Sequence, residues 1–235
     1  MTFELALSKT QIRYTLTRSK RQTIGIRVGT NGVLVNAPKD ISLDTIEKTI
    51  QQKATWVIHR QARLLELNSF LLSPRTFESG ETLRYLGRQY RLKRISSQEA
   101  PNARMRGAFI EVEAQTSQEA KKALEFWYQK QAKQYLPARL HRLSFRKGMA
   151  SPPPVLIRSP KRRWGSCNQK GEIRLNWRII MAPQSLIDYV IVHELCHLEH
   201  PNHSPAFWQS MHKLMPDYAL RRERLAMVGI QYTLE

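Results

Sequence analysis

The chain has 235 residues, 41% of them hydrophobic, and sets 38 Lys and Arg against 19 Asp and Glu for a formal charge of +19. That length suits one large domain or two small ones, and Cys167 and Cys196, without framework spacing, exclude a disulfide scaffold and point to free thiols in a reducing compartment. No apolar run approaches the roughly 20 residues of a membrane span, and the opening MTFELALSKTQ has no secretory apolar core, so the expectation is a soluble, cytoplasmic protein with no membrane association. Basic clusters recur at Arg18/Lys20/Arg21, Arg84/Arg88/Arg91/Lys93/Arg94, Lys161/Arg162/Arg163 and Arg221/Arg222/Arg224. They predict attraction for polyanions, nucleic acid included, but a generally basic surface explains them equally and no nucleic-acid-binding module is recognisable among them.

In chain order, the first 40 residues alternate like strands, with Ile12/Tyr14/Leu16, Ile24/Ile26/Val28 and Val33/Val35 on one face and a hairpin turn at Asn31-Gly32, predicting a small antiparallel sheet. Ser42 then caps a helix whose apolar residues, Leu43 to Leu65, keep a helical period to about residue 67. After a loop containing Pro74, TLRYLGRQYRLKRI reads as a second hairpin turning at Gly87-Arg88, and GAFIEVEA as one more strand. Ser117 opens a long helix to near Gly148, which Pro137 is expected to kink or split. Past Pro152-Pro153-Pro154, VLIRS, RRWGSC and EIRLNWRII read as strands, the last two joined by a turn at Asn168 to Gly171. A helix from about Gln184 to Glu199 is closed by Pro201; Ser204-Pro205 and Pro216-Asp217 start two more. The fold class is therefore α+β, with an N-terminal antiparallel, strand-rich region carrying one long helix (residues 1–115) and a second domain over residues 116–235.

Four of the seven histidines lie between residues 193 and 203. His193 and His197 are four apart, on one helical face, the spacing for two imidazoles on one zinc ion. Glu194 follows the first directly, so its carboxylate can act as general base on a zinc-activated water without taking a ligand position; this H-E-x-x-H pattern is that of a zinc hydrolase. A third ligand is needed, and His200 and His203 compete for it. His200 sits roughly 10 Å along the helix axis from His193, whereas His203 lies past Pro201, where the chain can fold back, so His203 is the expected third ligand. The metzincin pattern has the same spacing with a glycine where His200 stands. Glu199 lies off the ligand face, Cys196 is read as a core thiol and Cys167 as a packing residue, His212 as a surface or core residue, and His59 and His141 have no role.

TRSKRQTIGIRVGTNGVLVNAP, LGRQYRL, RRWGSCNQKGEIRLNWRIIMAP, IDYVIVHELCHLEHPNHSPAFW and PDY, in that order, together resemble the YgjP-like family of predicted zinc metallopeptidases. The resemblance implies a zincin-like catalytic domain related to the SprT-like proteases, whose members act on DNA-associated proteins, with His193, His197 and His203 on zinc and Glu194 as base. A nucleoside-triphosphate pyrophosphatase activity, on UTP, is also attributed to the family.

Three functions follow. The first is a zinc metallopeptidase, with EIRLNWRII beside the active-site helix and able to pair with an extended peptide. The second is a nucleotide pyrophosphatase on the same metal, with Arg162 and Arg163 holding phosphates, although no Gly-rich phosphate loop is present. The third is a nucleic-acid-binding protein with structural zinc, against which stands a ligand set of three histidines rather than four closing ligands.

Overall fold

The computed structural model describes residues 2–7, 10–29, 32–71, 75–98, 100–160 and 163–234. Asn31 of the expected hairpin turn, Pro74, Lys161, Arg162 and the side chains of Leu64 and Leu65 lie outside the described residues. Two units separate at the 74/75 boundary.

In the first unit, β1 (Thr2–Leu7), β2 (Thr10–Ser19), β3 (Gly25–Gly29) and β4 (Gly32–Pro38) form a sheet in the order β1-β2-β4-β3. The two outer pairs are antiparallel, as expected, while the central β2·β4 pair is parallel. Alternation puts Ile12, Tyr14 and Leu16 of β2 and Val33, Val35 and Ala37 of β4 into one core. Ser42 Oγ accepts the Thr45 N–H and starts α1 (Leu43–Gln52), which turns Ile46 and Ile50 into that core. The single helical run expected from residue 42 is two helices: Lys53 ends α1, its N–H returning to the Ile50 carbonyl, and α2 spans Ala54–Leu71.

The second unit opens with β5 (Thr82–Tyr85), β6 (Arg88–Ile95), β7 (Asn102–Arg106) and β8 (Phe109–Glu113), ordered β5-β6-β8-β7 with a parallel β6·β8 pair. This repeats the arrangement of the first sheet, two hairpins joined through their middle strands, although no sequence repeat announces it; β7, too polar to read as a strand, escapes sequence reasoning. At the β5–β6 turn Leu86 and Gly87 have φ of 49° and 79°, the left-handed pair that a two-residue hairpin requires. Gly87 is also constrained by space, since a Cβ there would lie 2.7 Å from Pro183 Cα. The turn donates its Leu86 and Gly87 N–H groups to the Ile180 and Met181 carbonyls.

A capping box between Thr116 and Glu119 starts α3 (Ser117–Arg146), a single helix that runs through Pro137 without splitting. Leu83, Leu92, Ile110 and Val112 of the second sheet share one core with Leu124, Tyr128 and Leu136 of α3. The compact units thus divide at 74/75, where the sequence reading places its domain boundary at 115/116: the apolar face of this sheet is buried against the helices that follow it, so the sheet packs with them.

Then come β9 (Val155–Arg158), β10 (Gly165–Cys167) and β11 (Ile173–Asn176), a sheet ordered β10-β11-β9, a 3₁₀ segment Trp177–Met181, and α4 (Gln184–Cys196), α5 (Pro205–Leu214) and α6 (Tyr218–Val228). EIRLNWRII is thus part strand and part 3₁₀ helix. Its strand is paired on both sides, so it offers no open edge to a peptide; the edge beside α4 belongs to β10.

Between α3 and α4 the Arg139 guanidinium donates two hydrogen bonds of 2.6 Å to the Asp188 carboxylate, both side chains nearly enclosed. Removing one partner strands the other, so Asp188→Ala is expected to cost about 3 kcal/mol in chemical denaturation, and replacing both by apolar residues less. Among the described residues no helix is long and apolar enough to cross a membrane.

Candidate metal centre

Helix α4 is buried nearly all round, Leu186 to Val192 and Leu195 included, and only its C-terminal turn reaches a cleft. That turn carries His193, with His197 as the C-cap residue, and the four-residue spacing brings their Nε2 atoms to 3.2 Å. Residues 198 to 204 turn back, with the Glu199 and His200 N–H groups on the Cys196 carbonyl, and deliver His203 Nε2 to 3.0 Å from His193 Nε2. Ser204 Oγ then accepts the Phe207 N–H and caps α5, whose first residue is Pro205. The cap matters for the site because it sets the Phe207 ring against all three imidazoles, at centroid distances of 5.0, 4.6 and 4.8 Å, and stacks Trp208 on His203 at 5.4 Å.

The cluster fits a divalent cation. Ligands about 2.0–2.1 Å from a tetrahedral ion stand roughly 3.3 Å apart, close to the two Nε2 separations above, and the three ligand atoms lie within 4.8 Å of one another. The tautomer is right as well: His197 Nδ1 lies 3.0 Å from the His200 carbonyl, which can only accept, so the proton sits on Nδ1 and leaves Nε2 a lone pair. Burial first, then His197, His203 and the Arg222 cation, push His193 down to about 4, and burial also lowers His203, so both rings are neutral as ligands must be. His200 contributes its backbone carbonyl and not its ring.

Glu194 is 5% exposed, and burial pushes its carboxyl up to about 8 against the opposing Arg163 cation. Its neighbour is Gly165 of β10, where a Cβ would fall 2.6 Å from Oε1 and 2.8 Å from Cγ of Glu194. Gly165→Ala must therefore displace the carboxylate. We expect it to lower turnover by about a hundredfold with unchanged zinc content and thermal midpoint, since a misplacement near 1 Å has that effect; unchanged turnover would show that the side chain gives way freely.

A cleft of about 1060 Å³ is lined by Glu194, the three histidines, Arg163 and the β10–β11 turn, including Cys167 and Lys170. A second cavity of about 370 Å³ shares Gly165, His193 and Glu194 with it and adds Tyr189, Trp164, Leu225 and Arg222. Cys167 is thus both packed on the core and a lining residue, whereas Cys196 is fully buried, as expected. Glu199 pairs with Lys147, and His212 is an exposed residue edge-on to Tyr218. Sequence reasoning missed Tyr189, although it stands four residues before His193 on the same helical stripe. It also missed Arg222, hidden in a basic run.

A helix-borne H-E-x-x-H pair converging with a third histidine beside a buried glutamate is the arrangement of a zincin-type metallohydrolase. The chain belongs to the YgjP-like family, whose metallopeptidase domain matches residues 22–227. Among solved structures it is similar to the metallopeptidase zymogen abylysin of Pyrococcus abyssi, at 26% identity over 41% of this chain and 95% of that one, with a TM-score of 0.37. It is also similar to the metallopeptidase zymogen jannalysin of Methanocaldococcus jannaschii, at 18% identity over 38% of this chain and 94% of that one, with a TM-score of 0.33. No curated protein matches it.

Proposed function

We propose that this chain is a zinc-dependent peptidase in which His193, His197 and His203 hold the ion and Glu194 is the general base. The observation that carries the reading is the convergence of three Nε2 atoms beside a buried carboxylate, in a chain whose family is a metallopeptidase family. Zinc bound there supplies a Lewis acid that polarises a carbonyl and acidifies water. Glu194 takes the proton of the attacking water and returns it to the leaving amine, and its burial suits it to hold that proton between the two transfers. Edge strand β10 runs past Glu194 at Gly165 and pairs on one side only among the described residues, so an extended substrate can add on the other as a further strand.

The open cleft beside the histidines argues against a closed structural zinc site. Casein, a peptide library and a panel of nucleoside triphosphates offered to the zinc-loaded protein, with Glu194→Gln as blank, test the proposal. Glu194-dependent cleavage of peptide bonds is expected; pyrophosphate release without peptide cleavage would replace the peptidase by a nucleotide hydrolase on the same metal.

A further inference from the structure

The smaller cavity beside Glu194 has a distinctive chemistry. Its walls are Trp164, Tyr189, Val190 and Leu225, and apart from His193 and Glu194 its charged lining residue is Arg222. Arg222 is free to act on a ligand. The neighbouring Arg221 is engaged by the Asp217 carboxylate at 2.8 Å and the Ser185 carbonyl at 3.1 Å, while Arg222 lies over the Trp208 ring, 4.9 Å from its centroid, and pairs with no carboxylate among the described residues. The same contrast holds around the larger cleft. Arg163 and Lys170 line it, and neither forms an ion pair with a carboxylate among the described residues, although Arg163 faces Glu194 across the cleft; Glu172 beside them is taken by Arg174, and Glu199 by Lys147. Glu172, Glu199 and Asp217 are thus neutralised, while Arg222, Arg163 and Lys170 form no ion pair among the described residues.

Resting on the peptidase reading, we infer that the cavity carrying Arg222 selects substrates by a carboxylate next to the scissile bond. The apolar walls receive the stem of such a residue, and the guanidinium, kept in place by the indole beneath it, takes the carboxylate through a charge-assisted pair of hydrogen bonds. The carboxylate has two sources, the side chain of Asp or Glu within a peptide and the free C-terminus of a short one. Arg163 and Lys170 add the same sign of charge along the cleft and raise the encounter rate with acidic peptides.

The test uses the full chain loaded with zinc. A mixed peptide library, half C-terminally amidated and half with free C-termini, is digested, and the cut sites are read by mass spectrometry. Acidic residues are expected at one position flanking the cut in the amidated half, or cuts next to the terminus in the free half, and the two results identify the source. Peptides matched except for Glu, Gln or Lys at that position, or for a free or amidated terminus, are then expected to differ in kcat/KM by about tenfold or more in favour of the carboxylate. Arg222→Lys keeps that preference, Arg222→Met removes it and Arg222→Glu shifts it toward Lys, with zinc content measured on each variant. Cleavage without carboxylate enrichment, or an Arg222→Met variant that loses the same factor on every peptide, overturns the inference and leaves the peptidase standing. The absence of any Glu194-dependent peptide cleavage overturns both.

Discussion

Glu194→Gln is expected to lower kcat/KM for peptide hydrolysis by about 10²–10⁴-fold, the usual contribution of a positioned general base, and to leave zinc binding unchanged. The reasoning is geometric. Glutamine keeps the volume and one acceptor oxygen in the enclosed space against Gly165 but accepts no proton at the pH of the reaction. Because Glu194 follows His193 directly and the three Nε2 atoms converge without it, its loss removes no ligand. Zinc content by elemental analysis and hydrolysis by peptide cleavage therefore separate in this variant; full activity would remove Glu194 from the chemistry. Stability of the metal-free protein gives an independent reading. A buried carboxyl held up to about 8 binds a proton in the native state that the unfolded chain has already released. The metal-free wild type therefore loses stability as pH rises from the ordinary carboxyl range toward 8, a loss that Glu194→Gln is expected to remove.

His203→Ala and His200→Ala are expected to part company on zinc affinity. Loss of an outer partner typically costs about 10–100-fold in metal affinity, and His203→Ala, which takes away one of the three converging nitrogens, should exceed that range in competition against a chromogenic chelator. His200→Ala should stay within a few-fold of wild type, because its tie to the site is the backbone carbonyl 3.0 Å from His197 Nδ1, which alanine retains. The opposite ranking would transfer the third ligand position to His200. A second contrast supports the choice: Trp208 stacks on the His203 ring and Phe207 closes the space under all three imidazoles, so the start of α5 is built around His203.

The histidine cluster was legible because its information is local. Two histidines at helical spacing, a glutamate between them, a proline that ends the helix and a serine-proline that starts the next one lie within a few turns of each other, where the helical repeat and capping chemistry alone determine direction. The same holds for the α+β class, for most strands and for the existence of α3 to α6, all read from periodicity and punctuation. The capping of α1 by Ser42 and the burial of Cys196 followed by the same logic.

What only the tertiary structure decided are the relations between segments remote in sequence. The parallel pairing in the middle of each four-stranded sheet depends on the second hairpin inserting its far strand beside the first, which alternation cannot encode. The boundary at 74/75 depends on which helices cover the second sheet, and a sheet's apolar face does not name its partner. Gly165 and Arg222, reached from opposite directions along the chain, meet Glu194 and His193 only because α4 packs between β10 and α6. The spacing of His193, Glu194 and His197 is thus a property of one helix in this protein, and the shape and charge of the candidate site around it are properties of the fold.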